Sequence, residues 1–151
     1  MYERVLVPLD GSALSEAILP FVEQIAGPLD SEVILLSVVP LAVAPAVVTG
    51  GILPPEDLSM RERKALADLV PVKARLEATG LRVRTLVMVG DAAAEICRVA
   101  GQEQADLIAM STHGRGGLGK LMFGSVAEQV IRRASVPVLM IRMTAVPAAL
   151  A

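Results

Sequence analysis

The chain has 151 residues, enough for one domain with a substantial core, and 54% of them are apolar, mainly Val, Leu, Ala and Ile. A formal charge of -2 and only three aromatics, Tyr2, Phe21 and Phe123, argue against a nucleic-acid binder, which needs basic excess or stacking platforms. Cys97 is the sole cysteine, which excludes an internal disulfide and a cysteine metal site; with no apolar stretch of about 20 residues and no signal peptide, the expectation is a cytoplasmic protein with no membrane partner.

In chain order, Glu3–Leu9 predicts a first strand, followed by Asp10, Gly11 and Ser12. Leu14, Ala17, Ile18, Phe21, Val22 and Ile25 then recur at helical spacing. Pro20 predicts a kink in this helix, because it has no N–H and crowds the carbonyl of Glu16, and Gly27–Pro28 is expected to end it. Glu32–Val39 reads as a second strand, apolar on both faces as a central parallel strand should be. The stretch 41–55 holds three prolines and two adjacent glycines and predicts a long mobile loop, whose Val43, Val47, Val48, Ile52 and Leu53 suit a cover over a pocket or partner. Glu56 is expected to start a charged helix that runs to about Thr79, is interrupted near Pro71 and stops at Gly80.

Leu81–Val89 alternates at first, with Arg82 and Arg84 on one face, as in an exposed edge strand. Gly90 and Asp91 turn into a helix from Ala92 to about Gly101, capped by Asp91, in which Cys97 is a packing residue. Asp106–Met110 predicts a fourth strand, Ser125–Ala134 an amphipathic helix and Val136–Ile141 a fifth strand. The predicted domain thus spans residues 1–143, with a tail at 144–151. Strands alternating with helices imply a parallel sheet with right-handed crossovers.

Between the fourth strand and the last helix stand Gly114, Gly116, Gly117 and Gly119. So many glycines only weaken a packed element, but they let backbone N–H groups approach an anion, usually phosphate. Gly114 to Gly119 satisfies a dinucleotide-binding pattern literally, yet the helix starts too late and Leu139 stands where an acidic ribose ligand belongs. It also satisfies most of a P-loop, but Leu121 replaces the magnesium-binding Ser or Thr. The blander reading keeps the loop as a flexible connection and Ser125 as a helix cap.

A third pattern fits better. Gly114, nine residues, then Gly124 and Ser125 resembles the G-x2-G-x9-G-[ST] motif of the universal stress proteins, with Ser111 in place of the first glycine. The resemblance extends over nearly the whole chain: Val5–Ser12, Val89–Asp91, Ala105–Gly114 and Gly124–Leu139 all match. It implies a single flavodoxin-like, Rossmann-like α/β domain, with a five-stranded parallel sheet in the order 3-2-1-4-5 and helices on both faces. It also implies a regulatory or stress-response module that binds ATP, or ADP or AMP, with Mg or Mn. A slow ATPase or phosphotransferase, and a nucleotide-free dimeric interaction protein, stand as alternatives, and the regulatory partner is unnamed.

In that resemblance the nucleotide meets Pro8, Leu9, Asp10, Val38, Gly90, Met110, Ser111, His113, Gly114, Arg115, Gly124, Ser125 and Val126. Asp10 would face the adenosine, Pro8 and Leu9 would line the base, and the backbone of Val38 would meet adenine. Each has a plainer alternative: Asp10 can cap a helix with Ser12, Val38 can be core, and Gly90 can simply turn. His113, the sole histidine, reads as positioning the loop rather than as a general base, and Arg115 and Lys120 as mobile cations near phosphate. Ser111 keeps a backbone N–H and adds a hydroxyl but adopts positive φ less freely than Gly, which leaves full ATP affinity open at this position. The fifth strand, apolar on both faces, should lie at a sheet edge and pair with a second copy of itself, giving a homodimer through residues 136–142.

Overall fold

The computed structural model describes residues 2–41, 47–48, 51–52, 57–113 and 125–143. Five parallel strands form one sheet: β1 (Arg4–Pro8), β2 (Glu32–Val39), β5 (Arg82–Val89), β6 (Leu107–His113) and β7 (Val138–Met143), in the order β5-β2-β1-β6-β7. Counting these strands alone, that is the expected 3-2-1-4-5. Between β2 and the next helix lies a short antiparallel pair, β3 (Val47–Val48) and β4 (Gly51–Ile52), within the stretch expected to be loop throughout.

The alternation of strand side chains places a core on each face. Val5, Val7, Val33, Leu35 and Ala109 bury against α2 (Leu19–Leu29) and α3 (Leu58–Glu77). Leu6, Ile34, Leu36, Ile108 and Met110 bury against α4 (Ala92–Gln102) and α5 (Ser125–Arg133). Helices therefore cover both faces.

Prolines act differently from expectation at three points. Pro20 divides the predicted helix into α1 (Ala13–Glu16) and α2, where it occupies the first turn and its missing N–H costs nothing. Gly27 and Pro28 stay inside α2, which ends when Asp30 turns left-handed and the amides of Asp30 and Ser31 bond back to Gly27 and Ala26. That closure supplies the stop the dipeptide was expected to give. Helix α3 runs through Pro71 without interruption. An interior proline costs about 3 kcal/mol, but Leu69, Val72 and Leu76 each bury a side chain worth about 1.5–3 kcal/mol on either side of it. Packing wins. The helix opens on Asp57, whose carboxylate accepts from the Ser59 amide; Glu56, the expected start, lies outside the described residues.

The last two strands are displaced toward their C-termini. β6 continues through Ser111, Thr112 and His113, because these pair with Ile141, Arg142 and Met143 of β7. β7 begins at Val138, two residues later than expected, while the Pro137 carbonyl still accepts from the Ile108 amide. At the opposite end of the sheet Arg84 spans Glu32 and Glu103, each at 2.8 Å, and Asp106 accepts from the amides of Glu3 and Arg4. The tail at 144–151 lies outside the described residues.

Candidate functional site

Strand pairing opens the site. β1 pairs with β2 over five residues, through Pro8, and β6 pairs with β7 over six, through His113. β1 and β6 share only two pairs, Val5 with Leu107 and Leu6 with Ile108. Beyond these the two strands part, and chain direction across the sheet reverses at this point, which is where open α/β sheets take ligands. A cleft of about 270 Å³ lies there.

Of the residues assigned to the nucleotide by resemblance, Pro8, Leu9, Asp10, Val38, Met110, Ser111, Ser125 and Val126 line it. Gly90 does not line it among the described residues; its φ of +152° leaves room for Glu95, whose Cγ would stand 3.0 Å from a Cβ at that position. His113 pairs with Met143 at the end of β6. Gly114, Arg115, Lys120 and Gly124 lie outside the described residues. Sequence reasoning missed Leu14, Ser15, Leu36, Ala92, Ile96, Thr112 and Ala127. Two signals could have found some of them: Leu36 shares a strand face with Val38, and Ile96 stands one helical turn after Ala92.

Asp10 is held by a run of serines. The amide and hydroxyl of Ser12 donate to its Oδ1 at 2.9 and 2.5 Å, and its own amide donates to Ser15 Oγ at 3.3 Å. The Ser15 amide donates to Ser12 Oγ at 3.1 Å, capping α1, and the Ser15 hydroxyl donates to the Ser12 carbonyl at 2.9 Å. Gly11, at φ +83°, makes the turn between them, and a Cβ there would meet the Asp68 carboxylate at 3.0 Å. Burial pushes the Asp10 carboxyl up, but the bonds from Ser12 and Ser15 outweigh it and hold the pKa below 3.8. Capping and a place on the cleft thus coexist at Asp10.

Ser111 carries the one departure from the motif, and its backbone needs none of glycine's freedom. The residue sits in extended strand and takes no positive φ. Its hydroxyl donates to the Leu14 carbonyl at 2.5 Å, with the Ser15 carbonyl 3.2 Å away. Opposite, the first residues of α5, Ser125, Val126 and Ala127, line the cleft, and a helix N-terminus favours anions. One side therefore presents acceptors and the other a donor-rich helix end, with aliphatic walls between. Asp10 is the one charged side chain among the described lining residues, and these hold no group of three or more His, Cys, Asp or Glu able to bind a metal. No described helix is long and apolar enough to cross a membrane. Cys97 is half-buried, and burial raises its thiol pKa, in keeping with a packing role.

The profile of the universal stress protein family matches residues 1–142. The universal stress protein MJ0531 of Methanocaldococcus jannaschii is 34% identical over 94% of this chain and 83% of its own length. MJ0577 of the same organism is 30% identical over 94% of this chain and 96% of its own; its solved structure covers 95% of this chain and 98% of its own, with a TM-score of 0.75. A family member from Arabidopsis thaliana, solved with AMP bound, shares the fold at 20% identity and a TM-score of 0.63, covering 94% of this chain and 92% of its own.

Proposed function

The chain belongs to the universal stress protein family, and from that premise we propose that it is a regulatory module that binds adenine nucleotides, ATP foremost, with Mg or Mn. The observation that carries this reading is the cleft itself. It opens where β1 and β6 part, with the Asp10 turn on one wall and the start of α5 on the other. A nucleotide matches that polarity: ribose hydroxyls donate to a carboxylate, an apolar base rests on Leu9, Leu36, Val38 and Met110, and phosphates meet amide donors. Adenine, rather than another base, comes with the family resemblance, as do the roles of Gly114, Arg115 and Gly124 at the phosphates. That a neighbour in fold was solved with AMP concerns that neighbour.

A divalent ion fits in one way only. Mg demands several oxygen ligands and commonly takes them from phosphates and water, with one or two carboxylates. With Asp10 as the one described carboxylate on the cleft, the ion would enter on the nucleotide's phosphates. The dimer through β7 belongs to the same reading. Calorimetry with ATP, ADP, AMP and GTP, with and without Mg, tests it. Adenine nucleotides should bind and GTP should bind less well. No ATP binding at millimolar concentration overturns the function, and equal affinity for GTP overturns the base assignment.

A further inference from the structure

Ser111 and Asp10 both line the cleft, and Ser12 and Ser15 link them. The Ser111 hydroxyl proton goes to the carbonyls of Leu14 and Ser15; Ser15 carries the hydroxyl that accepts from the Asp10 amide; Ser12 donates to the Asp10 carboxylate and accepts from the Ser15 amide. Each hydroxyl has one proton, and each proton is committed within this chain of bonds. The Ser111 hydroxyl therefore has no proton left for a ligand. We infer that Ser111 is a positioning residue: it clamps β6 to α1, and so fixes the carboxylate of Asp10 on the cleft.

The clamp falls where it is needed. β1 and β6 no longer pair at this level, so no ladder bond holds the two strands together here. Helix α1 has only four residues and no buried side chain, too little to hold its own position by packing. The carbonyls that Ser111 reaches belong to the two middle residues of α1, ahead of the break imposed by Pro20. A glycine at position 111 would leave both without that donor. The departure from the family motif thus exchanges backbone freedom for a fixed link between β6 and α1.

This inference rests on the nucleotide reading for its ligand but not for its test. In the ligand-free protein, the titration of the Asp10 carboxyl can be followed by carbon NMR in the wild type, Ser111→Ala and Ser15→Ala. Both substitutions should raise the pKa of Asp10 toward the ordinary carboxylate value, since both loosen the serine chain. An unmoved titration in Ser111→Ala overturns the clamp, whatever the protein binds. Calorimetry then adds the functional arm. Ser111→Ala should weaken adenosine and ATP by the same factor, about fivefold, as expected for one net hydrogen bond. Asp10→Asn and Ser111→Ala together should lose less than the product of their separate losses. A loss for ATP alone, or independent losses, overturns action through Asp10. If the wild type binds neither ligand, the proposed function fails and the NMR titration still decides the clamp.

Discussion

The hydroxyl of Ser111 donates to the carbonyl of Leu14 at 2.5 Å, joining two cleft-lining residues 97 apart in sequence. Neither residue titrates, yet their bond determines how the neighbouring carboxylate is presented. Its partner in that task is the turn at Asp10.

Asp10 should keep its charge well into acid. Its folded pKa lies below 3.8, so any stability it contributes is present above the unfolded carboxyl value and is lost as pH falls through the lower folded one. Asp10→Asn should therefore flatten the acid limb of a stability–pH curve and leave the curve above pH ~5 parallel to wild type. Denaturant titrations at stepped pH check this; parallel curves throughout would show that the serine bonds do not favour the ionised form.

Filling the aliphatic wall should abolish binding without unfolding the chain. Val38 is half-buried at the end of β2 and faces the cleft. Val38→Trp should occupy the space of a base and weaken adenosine at least about tenfold, by overpacking confined to the open side. Calorimetry beside circular dichroism separates loss of site from loss of fold.

Pro71 is tolerated in α3, and replacing it should pay. Its ring is exposed, and alanine would restore the amide that can bond to Ala67. The gain in helix propensity, about 3 kcal/mol, is offset by about 1 kcal/mol of freedom returned to the unfolded chain. Pro71→Ala should thus stabilise by about 1–2 kcal/mol, read as a higher urea midpoint at unchanged m-value.

The edge formed by β7 should pair two copies of the chain. Leu139 packs toward one core and Met140 toward the other, both only partly buried, and among the described strands β7 is the last in the sheet, so its apolar residues stand at an edge. Met140→Asp should shift the dimer to monomer at micromolar concentration in light scattering. A wild-type monomer, or a dimer unmoved by the substitution with its circular dichroism intact, counts against the interface.

Sheet order was legible in the resemblance, and strand identity in the sequence pattern, because long apolar runs buried on both faces leave few alternatives. What stayed hidden was set by partners distant in sequence. Ser111, Thr112 and His113 carry no strand signal by composition; β7 makes them strand. Pro71 reads as a break until Leu69, Val72 and Leu76 are seen anchored on the sheet. Asp10, Ser111 and Ser125 line the cleft and were picked out by the motifs they resemble, each contiguous in sequence. Leu14 and Ser15 were not, since only the parting of β1 and β6 turns α1 into a wall.

β1 is the central strand of the finished sheet but not of the growing chain. While ribosomal synthesis proceeds, β2 and β5 can close on one side of β1, leaving its other edge bare until Leu107 emerges. At about 5–20 residues per second, the roughly 100 residues between them impose a wait of about 5–20 s. Throughout that wait Val5, Leu6 and Val7, later wholly enclosed, border an open hydrogen-bonding edge, the kind of nascent surface that holding chaperones recognise.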